Sequence, residues 1–208
     1  MLNVIRSRLG QGRAAECDVL ADAAQNSLLQ AGHLAHRLLR FARADEAVRS
    51  MIDVNNAIAS VEVVLKCLTG RRINVSMELG AGSMLAFCDS HQFESVLFNL
   101  VINARDAIPD RGRICIETSH AEVTAETPGL KCRRYVCVSV SDTGCGMTKE
   151  VIRRAFDPFF TTKPAGKGTG LGLPMVKAFV DQSEGYIDAQ SVEGLGTTIA
   201  IYLPSASA

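Results

Sequence analysis

The sequence predicts an α+β protein in two parts: an N-terminal helical hairpin over residues 1–48, then a mixed helix-and-strand domain over residues 51–208. Two changes along the chain predict the boundary. Residues 1–48 contain no proline and place apolar residues at helical spacing. From about Met51, apolar runs of strand length alternate with helical runs, and turns containing glycine or proline separate them.

The first part is predicted to form two helices separated by the turn-forming stretch GQGR. A short apolar piece, MLNVIRSRL, precedes this turn, and a long amphipathic helix begins at Ala14. The apolar faces of two helices cover each other only in part. Pairing with a second copy into a four-helix bundle would bury the remainder, so we expect a homodimer through residues 1–48.

The second part predicts three helices and six strands. Gly70 ends the first helix, and Asp89 stands where an N-cap of the second is expected. The predicted helices are NNAIASVEVVLKCLTG, DSHQFESVLFNLVINARDAI and GLPMVKAFVDQSEG. The predicted strands are RINVSMEL, MLAFC, RGRICIETSHAEV, RRYVCVSVSDTG, YIDAQSV and TTIAIYLP.

Composition limits the classes of function. Lys+Arg and Asp+Glu both number 22, so the net charge is zero and no nucleic-acid partner is expected. No apolar run approaches the roughly 18 residues of a membrane span, and no secretory signal opens the chain, so we expect a cytoplasmic protein. The seven cysteines are scattered without a CxxC pair, and the four histidines do not join them at zinc-site spacing. Most of the cysteines are therefore expected to be reduced and packed as small apolar side chains.

A polar stripe marks the second predicted helix of this domain. Asn99, Asn103 and Asp106 follow one another at spacings of four and three residues, which places them on one helical face. Such residues on an apolar helix are solvated, paired or act as ligands. The amide oxygen of Asn is a neutral hard donor of the kind that Mg²⁺ accepts.

The stretch SDTGCGM follows directly after a predicted strand. It is either a plain glycine turn or a binding loop. In the second interpretation, Asp142 at the strand end accepts a hydrogen bond from the amino group of adenine. Gly144 and Gly146 then allow the backbone to approach the base closely.

A glycine-rich stretch, FDPFFTTKPAGKGTGLGL, precedes the last predicted helix. Its backbone N–H groups and Lys163 suit phosphate oxygens, and the helix N-terminus adds favourable partial charge. The P-loop pattern fails, because positions 161 and 168 are Thr and Gly, and GxGxxG fails as well. Phe156, Phe159 and Phe160 are interpreted as the hinge of a mobile lid.

With these motifs in this order along the chain, residues 89–204 resemble the catalytic ATP-binding domain of bacterial sensor histidine kinases. The matching motifs are the N box (Asn99, Asn103), the G1 box (Asp142, Gly144, Gly146), the F box FDPFFTTK, the G2 box GKGTGLGL and a terminal Gly-Thr-Thr. NLVINARDA and FDPFFTTK are similar to the hybrid and nitrogen-regulation subgroup. The resemblance implies a two-layer α/β sandwich that binds Mg·ATP beneath a lid.

The resemblance also implies a role for each matching residue. Asp142 binds adenine, Asn99 and Asn103 hold Mg²⁺, and Lys163 with the backbone at 168–172 neutralises charge on the phosphates. Catalytic roles fall to Asn99, Asn103 and Lys163. The residues assigned to nucleotide binding are Asn103, Asp106, Asp142, Gly144, Gly146, Thr162, Lys163, Gly168, Thr169, Gly170, Leu171, Gly172 and Thr197.

Residues 1–48 resemble the dimerisation and phosphotransfer hairpin of the same kinases, on which a response regulator receiver domain docks. Its phosphoaccepting H box is absent, so the acceptor histidine is expected upstream of Met1. His33 and His36 lie on the second predicted helix and are interpreted as surface or interface residues. No phosphoacceptor is assigned in this chain.

The related gyrase-type and chaperone ATPases place a water-activating Glu four residues before the Mg²⁺-binding Asn. This chain has Asn99 there, and an amide does not take a proton at neutral pH, which favours transfer to a protein over hydrolysis. Three alternatives remain open: a nucleotide-binding regulatory module or pseudokinase without transfer, a docking protein that has lost ATP binding, and a Ser/Thr-directed kinase of the same superfamily.

Overall fold

The computed structural model describes residues 49–122, 134–164 and 168–205. All of them belong to one compact unit within Ala47–Ala208. The predicted helical hairpin, the homodimer through residues 1–48 and the interpretation of His33 and His36 fall outside the described residues. The proposed division into residues 1–48 and 51–208 therefore stays a prediction.

A five-stranded sheet forms one layer of this unit. Its spatial order is β2-β4-β5-β7-β6, in which β2 runs parallel to β4 and every other neighbouring pair is antiparallel. A separate two-stranded ribbon pairs β1 with β3. The strands are β1 (Ser50–Asp53), β2 (Ile73–Leu79), β3 (Leu85–Cys88), β4 (Gly112–Glu122), β5 (Arg134–Asp142), β6 (Tyr186–Val192) and β7 (Gly196–Pro204).

Helices form the second layer, which confirms the two-layer α/β sandwich. The described helices are α1 (Val54–Thr69), α2 (Ser90–Ala107), α3 (Lys149–Arg154) and α4 (Gly172–Gln182). Alternate residues of β4, β5 and β7 are buried with the apolar faces of α1, α2 and α4, as strand and helix periodicity require. The core includes Phe93, Leu97, Ile114, Ile116, Val138, Val140, Phe179, Ile199 and Ile201.

The N-caps follow the sequence pattern. Asp89 accepts a hydrogen bond from the Gln92 N–H at 2.9 Å, which confirms the predicted cap of α2. Asp53 caps α1 in the same way, through the Asn55 N–H at 3.0 Å. No helix among the described residues is long and apolar enough to cross a membrane.

The described cysteines are all free, but they differ in burial. Cys88 is in the core, and burial raises the pKa of its thiol to about 12. Cys115 and Cys137 are only partly buried, and Cys67 and Cys145 are exposed. The expectation of apolar packing for most of them was therefore too broad, because alternate strand positions and helix surfaces place thiols towards solvent.

Candidate functional site

Asp142 is the last residue of β5. Its Oδ1 accepts a hydrogen bond from the Gly144 N–H at 2.7 Å, and the carboxylate also accepts one from the Thr197 N–H. Burial raises the pKa of this carboxyl group, and the two backbone hydrogen bonds act in the opposite direction. The carboxylate is thus held in one orientation while it is still half accessible.

The loop after Asp142 is held on both sides by backbone. The Cys145 N–H donates to the Ala107 carbonyl at 2.9 Å, and the Cys145 carbonyl accepts from the Gly194 N–H at 2.7 Å. A Cβ on Gly144 would lie 2.5 Å from the Ala107 oxygen. Gly146 has φ +65, and a Cβ there would overlap the Val192 carbonyl. Only glycine fits these two positions, because protein backbone lies where a side chain would be. The predicted close approach of this loop to a base stays a prediction.

Thr197 lies beside Asp142 in the β5–β7 register and is buried. The preceding Gly196 has φ +119, and a Cβ there would overlap the Asp142 carbonyl. On the other side of β7, Thr197 lies opposite Ser191 of β6. The sequence patterns do not single out Ser191.

The polar stripe of α2 faces the start of α4. The nearest heavy atom to a Cβ placed on Gly172 would be the Asn103 Nδ2, at 3.1 Å, so the glycine leaves room for this amide. Within the described part of the chain, the side-chain amides of Asn99 and Asn103 make no hydrogen bond, and both residues are half-buried. They are thus available for a ligand.

Asp106 at the end of the same stripe forms two ion pairs. Its Oδ2 lies 2.6 Å from the Lys163 Nζ, and its Oδ1 lies 2.7 Å from the Arg105 Nη2. The side chains of Lys163 and Asp106 are 32% and 25% exposed. The structure therefore pairs Lys163 with a carboxylate that the sequence interpretation had placed near the nucleotide.

The glycine-rich stretch is closed at its base. The Phe159 N–H donates to the Gly170 carbonyl at 2.8 Å, and a Cβ on Gly170 would overlap the Phe159 backbone. Phe159 has φ 66, which is uncommon outside glycine, and its side chain is 75% exposed. Phe160 packs under the Arg154 guanidinium at 4.3 Å. The proposed role of these aromatics as a hinge stays a prediction.

α4 begins directly after this stretch without a side-chain cap. Leu171 occupies the N-cap position, and no side chain accepts a hydrogen bond from the first turn. Its N–H groups and the positive end of the helix dipole therefore suit an anion. Gly168 lies against Thr161 and Lys163, and Thr162 and Thr169 are exposed on the same stretch.

Comparison with known proteins decides the family. Residues 88–207 match the family described as histidine kinase-, DNA gyrase B-, and HSP90-like ATPase. The chain belongs to this family. It is 38% identical over 180 residues to the sensor kinase CckA of Brucella abortus, covering 84% of this chain and 19% of that protein. It is 33% identical over 168 residues to the sensor histidine kinase ZraS of Klebsiella oxytoca, covering 80% of this chain and 34% of that protein.

Solved structures of histidine kinases share the fold. The catalytic domain of ThkA superposes with a TM-score of 0.57 at 25% identity, covering 76% of this chain and 95% of that one. Full-length ShkA in complex with AMPPNP gives a TM-score of 0.64 at 20% identity, covering 95% of this chain and 40% of that one. The chain therefore spans about a fifth to a third of the sensor kinases compared above and nearly all of an isolated catalytic domain.

Within this ATPase family fold, the predicted site residues fall into two groups. One surrounds Asp142 and contains Gly144, Gly146 and Thr197. The other contains Asn103, Asp106, Lys163 and Gly172, with Asn99 one turn earlier on α2. No side-chain hydrogen bond among the described residues joins Asn99 or Thr162 to either group. The two amide oxygens fit the hard, neutral donors that Mg²⁺ accepts.

Proposed function

We propose that this chain is the ATP-dependent catalytic core of a protein histidine kinase, which transfers the γ-phosphate of Mg·ATP to a histidine. A response regulator receiver domain would then accept the phosphate. The observation that carries the proposal is the oriented, half-accessible carboxylate of Asp142 in the same fold as the Asn103 amide, which lies beside Gly172 at the uncapped start of α4. The homodimer through residues 1–48 and the cytoplasmic location are parts of the same proposal.

Asp142 would select the base. One face of its carboxylate is occupied by the backbone N–H groups of Gly144 and Thr197, and the remaining lone pairs accept from the 6-amino group of adenine. Guanine presents a carbonyl oxygen at that position, which a carboxylate repels. Gly144 and Gly146 let the base approach the backbone of the loop.

The start of α4, the amides of α2 and Lys163 would handle the phosphates. Mg²⁺, when bound, supplies positive charge against the phosphate oxygens. Asn99 and Asn103 would hold it, and the N–H groups at the start of α4 would bind oxygens of the γ-phosphoryl group. Lys163 would leave Asp106 and neutralise the charge that develops during transfer.

The reaction would be transfer rather than hydrolysis. A ring nitrogen of the acceptor histidine forms a bond to the γ-phosphorus as the bond to the β,γ-bridging oxygen breaks, and ADP leaves. Asn99 cannot remove a proton from water, so the protein offers no general base to a competing water at that position. Glu94 on the same helix would serve only if it were presented differently.

A second candidate is a nucleotide-binding regulatory module that transfers nothing. The observation that favours it is that none of the four histidines of this chain lies in an H-box pattern. This candidate predicts the same ATP binding and differs only in the fate of the γ-phosphate. Both candidates are therefore separated by one assay.

The test incubates the chain with Mg²⁺ and γ-labelled ATP, with and without an excised kinase hairpin that carries an intact H box. We expect acid-labile label on the hairpin and little free phosphate. Asp142→Ala should weaken ATP binding about 10- to 100-fold, because it removes a hydrogen bond to a charged group. Exposed Asp110→Ala is the matched control.

The outcomes separate the candidates. Bound ATP without label on either protein supports the regulatory module. Label on this chain alone shows that it carries its own acceptor and contradicts an acceptor upstream of Met1. Failure to bind ATP contradicts both candidates and leaves the docking protein.

A further inference from the structure

The hydroxyl group of Ser191 joins three parts of the adenine end of the site. The Met147 N–H donates to its Oγ at 2.7 Å, which ties down the far end of the glycine loop. The Oγ donates to the Gly196 carbonyl at 3.0 Å and lies 2.8 Å from the Thr197 Oγ1. Ser191 thus connects β6, the start of β7 and the loop that follows Asp142.

These contacts use the whole hydrogen-bonding capacity of one serine. A hydroxyl group has one proton to donate and two lone pairs that accept. The proton goes to the Gly196 carbonyl, and the lone pairs accept from the Met147 N–H and from the hydroxyl proton of Thr197. The orientation of the Thr197 side chain is therefore set by Ser191.

The contact with Gly196 has the larger consequence for Asp142. The carbonyl of Gly196 and the N–H of Thr197 belong to one planar peptide unit, so fixing the oxygen also fixes the direction of the N–H. That N–H is a donor to the Asp142 carboxylate. Gly196 leaves this peptide free to rotate about its own backbone bonds, since glycine restricts them least.

We propose that Ser191 is a positioning residue for base recognition. It locks the Gly196–Thr197 peptide and the Met147 end of the glycine loop, so that the Asp142 carboxylate faces the amino group of a purine. This inference rests on the proposed ATP binding and adds to it a residue outside the motifs that identified the site.

The test compares Mg·ATP with purine riboside triphosphate, which lacks the 6-amino group, in binding titrations. Ser191→Ala should weaken ATP binding about tenfold and change binding of the analogue less than twofold, so that the preference for ATP is lost. Ser191→Thr retains the hydroxyl group and should restore most of the preference. Ser191→Cys keeps the shape with a weaker donor and should show an intermediate loss, which provides a second variant if Ser191→Ala does not fold.

The chain offers a matched control. Ser141 pairs its Oγ with the Thr198 Oγ1 at 2.9 Å, the same kind of cross-strand hydroxyl pair, but one residue along and on the opposite face of the sheet. Ser141→Ala should leave both affinities unchanged. If Ser191→Ala lowers the affinity for both nucleotides equally, or lowers neither, the inference about Ser191 is wrong while the proposed function stands. If the wild-type chain binds neither nucleotide, both the proposed function and the inference about Ser191 are wrong.

Discussion

The two ends of the proposed nucleotide site are built differently. At the adenine end, Asp142 is held by two backbone N–H groups, and the loop beyond it is bonded to α2 on one side and to the β6–β7 turn on the other. At the phosphate end, the described part of the chain gives the Asn99 and Asn103 amides no hydrogen bond. Lys163 is paired there with Asp106.

This difference separates recognition from chemistry. A carboxylate that is already oriented binds a partner without further ordering, so under the proposed function the adenine end would select the nucleotide before any phosphate contact forms. At the phosphate end, the Asn99 and Asn103 amides have no hydrogen-bond partner among the described residues, and Lys163 is paired with Asp106. Under the proposed function this end would reach its working arrangement only when metal and phosphate bind, as expected for groups that act mainly in the transition state.

Asn103→Ala has the largest expected effect and acts at the phosphate end. Loss of an amide oxygen offered to Mg²⁺ removes several kcal/mol of stabilisation of the transition state, so transfer to the added hairpin should fall at least ~100-fold. The free energy of unfolding should stay within about 0.5 kcal/mol, because the amide makes no hydrogen bond in the described structure. Asn74→Ala, on an exposed position of β2, is the control. Normal transfer by Asn103→Ala would contradict the proposal that the Asn103 amide holds Mg²⁺.

Gly146→Ala tests whether the adenine end is as rigid as its contacts indicate. Gly146 and Gly194 both have positive φ, but a Cβ on Gly194 meets nothing within 4 Å. The conformation alone should destabilise Gly194→Ala by about 1–2 kcal/mol, and the overlap with Val192 should bring Gly146→Ala to about 2–4 kcal/mol. Urea denaturation measures both. If both variants lose the same free energy of unfolding, the loop after Asp142 can shift to accept a side chain. The adenine end would then be no more rigid than the phosphate end.

Asp106→Asn tests the neutralised lysine. Without the carboxylate, Lys163 is free to meet phosphate, and one negative charge near the phosphates is gone. ATP affinity should rise about two- to fivefold, in keeping with the modest strength of a partly exposed pair. Asp110→Asn breaks the exposed pair with Arg72 and removes the same charge elsewhere. Weaker ATP binding in Asp106→Asn would instead make the carboxylate a support that aims Lys163 at the phosphates.

Asp142→Asn has a small expected effect on the free energy of unfolding, and that effect depends on pH. Burial raises the pKa of this carboxyl group above its ordinary value of 3.8, so its stabilising contribution is complete below that pH and is lost as the pH rises through the folded-state pKa. Asn does not titrate. The stability of the wild type relative to Asp142→Asn should therefore decline as the pH rises above 3.8 and become constant once the pH exceeds the folded-state pKa. Denaturation at several pH values measures this difference, and a constant difference would contradict the burial of the carboxylate.

Sequence patterns predicted the long elements of the fold but missed two short ones. The α2 and β5 periodicities are long enough to define a buried face, and the Asp89 cap marks where α2 begins. β1 has four residues, and its pattern is not distinct from the start of α1. α3 has six residues and buries none of them, so no apolar spacing in the sequence predicts it.

The site shows the same limit. Asp142, Gly144 and Asn103 could be predicted as site residues because their order along the chain is distinctive. Ser191 and the Asp106–Lys163 pair were not, because each depends on segments far apart in sequence that the sheet or the helix layer brings together. Seryl hydroxyl groups are common on strands, and nothing local to YIDAQSV distinguishes the one that holds Gly196.

The backbone hydrogen bond between Phe159 and Gly170 makes the length of the glycine-rich stretch independent of the rest of the fold. Because the two ends of this stretch already meet, added residues only enlarge a closed loop, and each doubling of its length costs about 0.6 kcal/mol. Insertions or deletions there leave the register of β5, β7 and β6 untouched. A change in the length of this loop therefore alters how far it reaches over the surface without rebuilding the sheet.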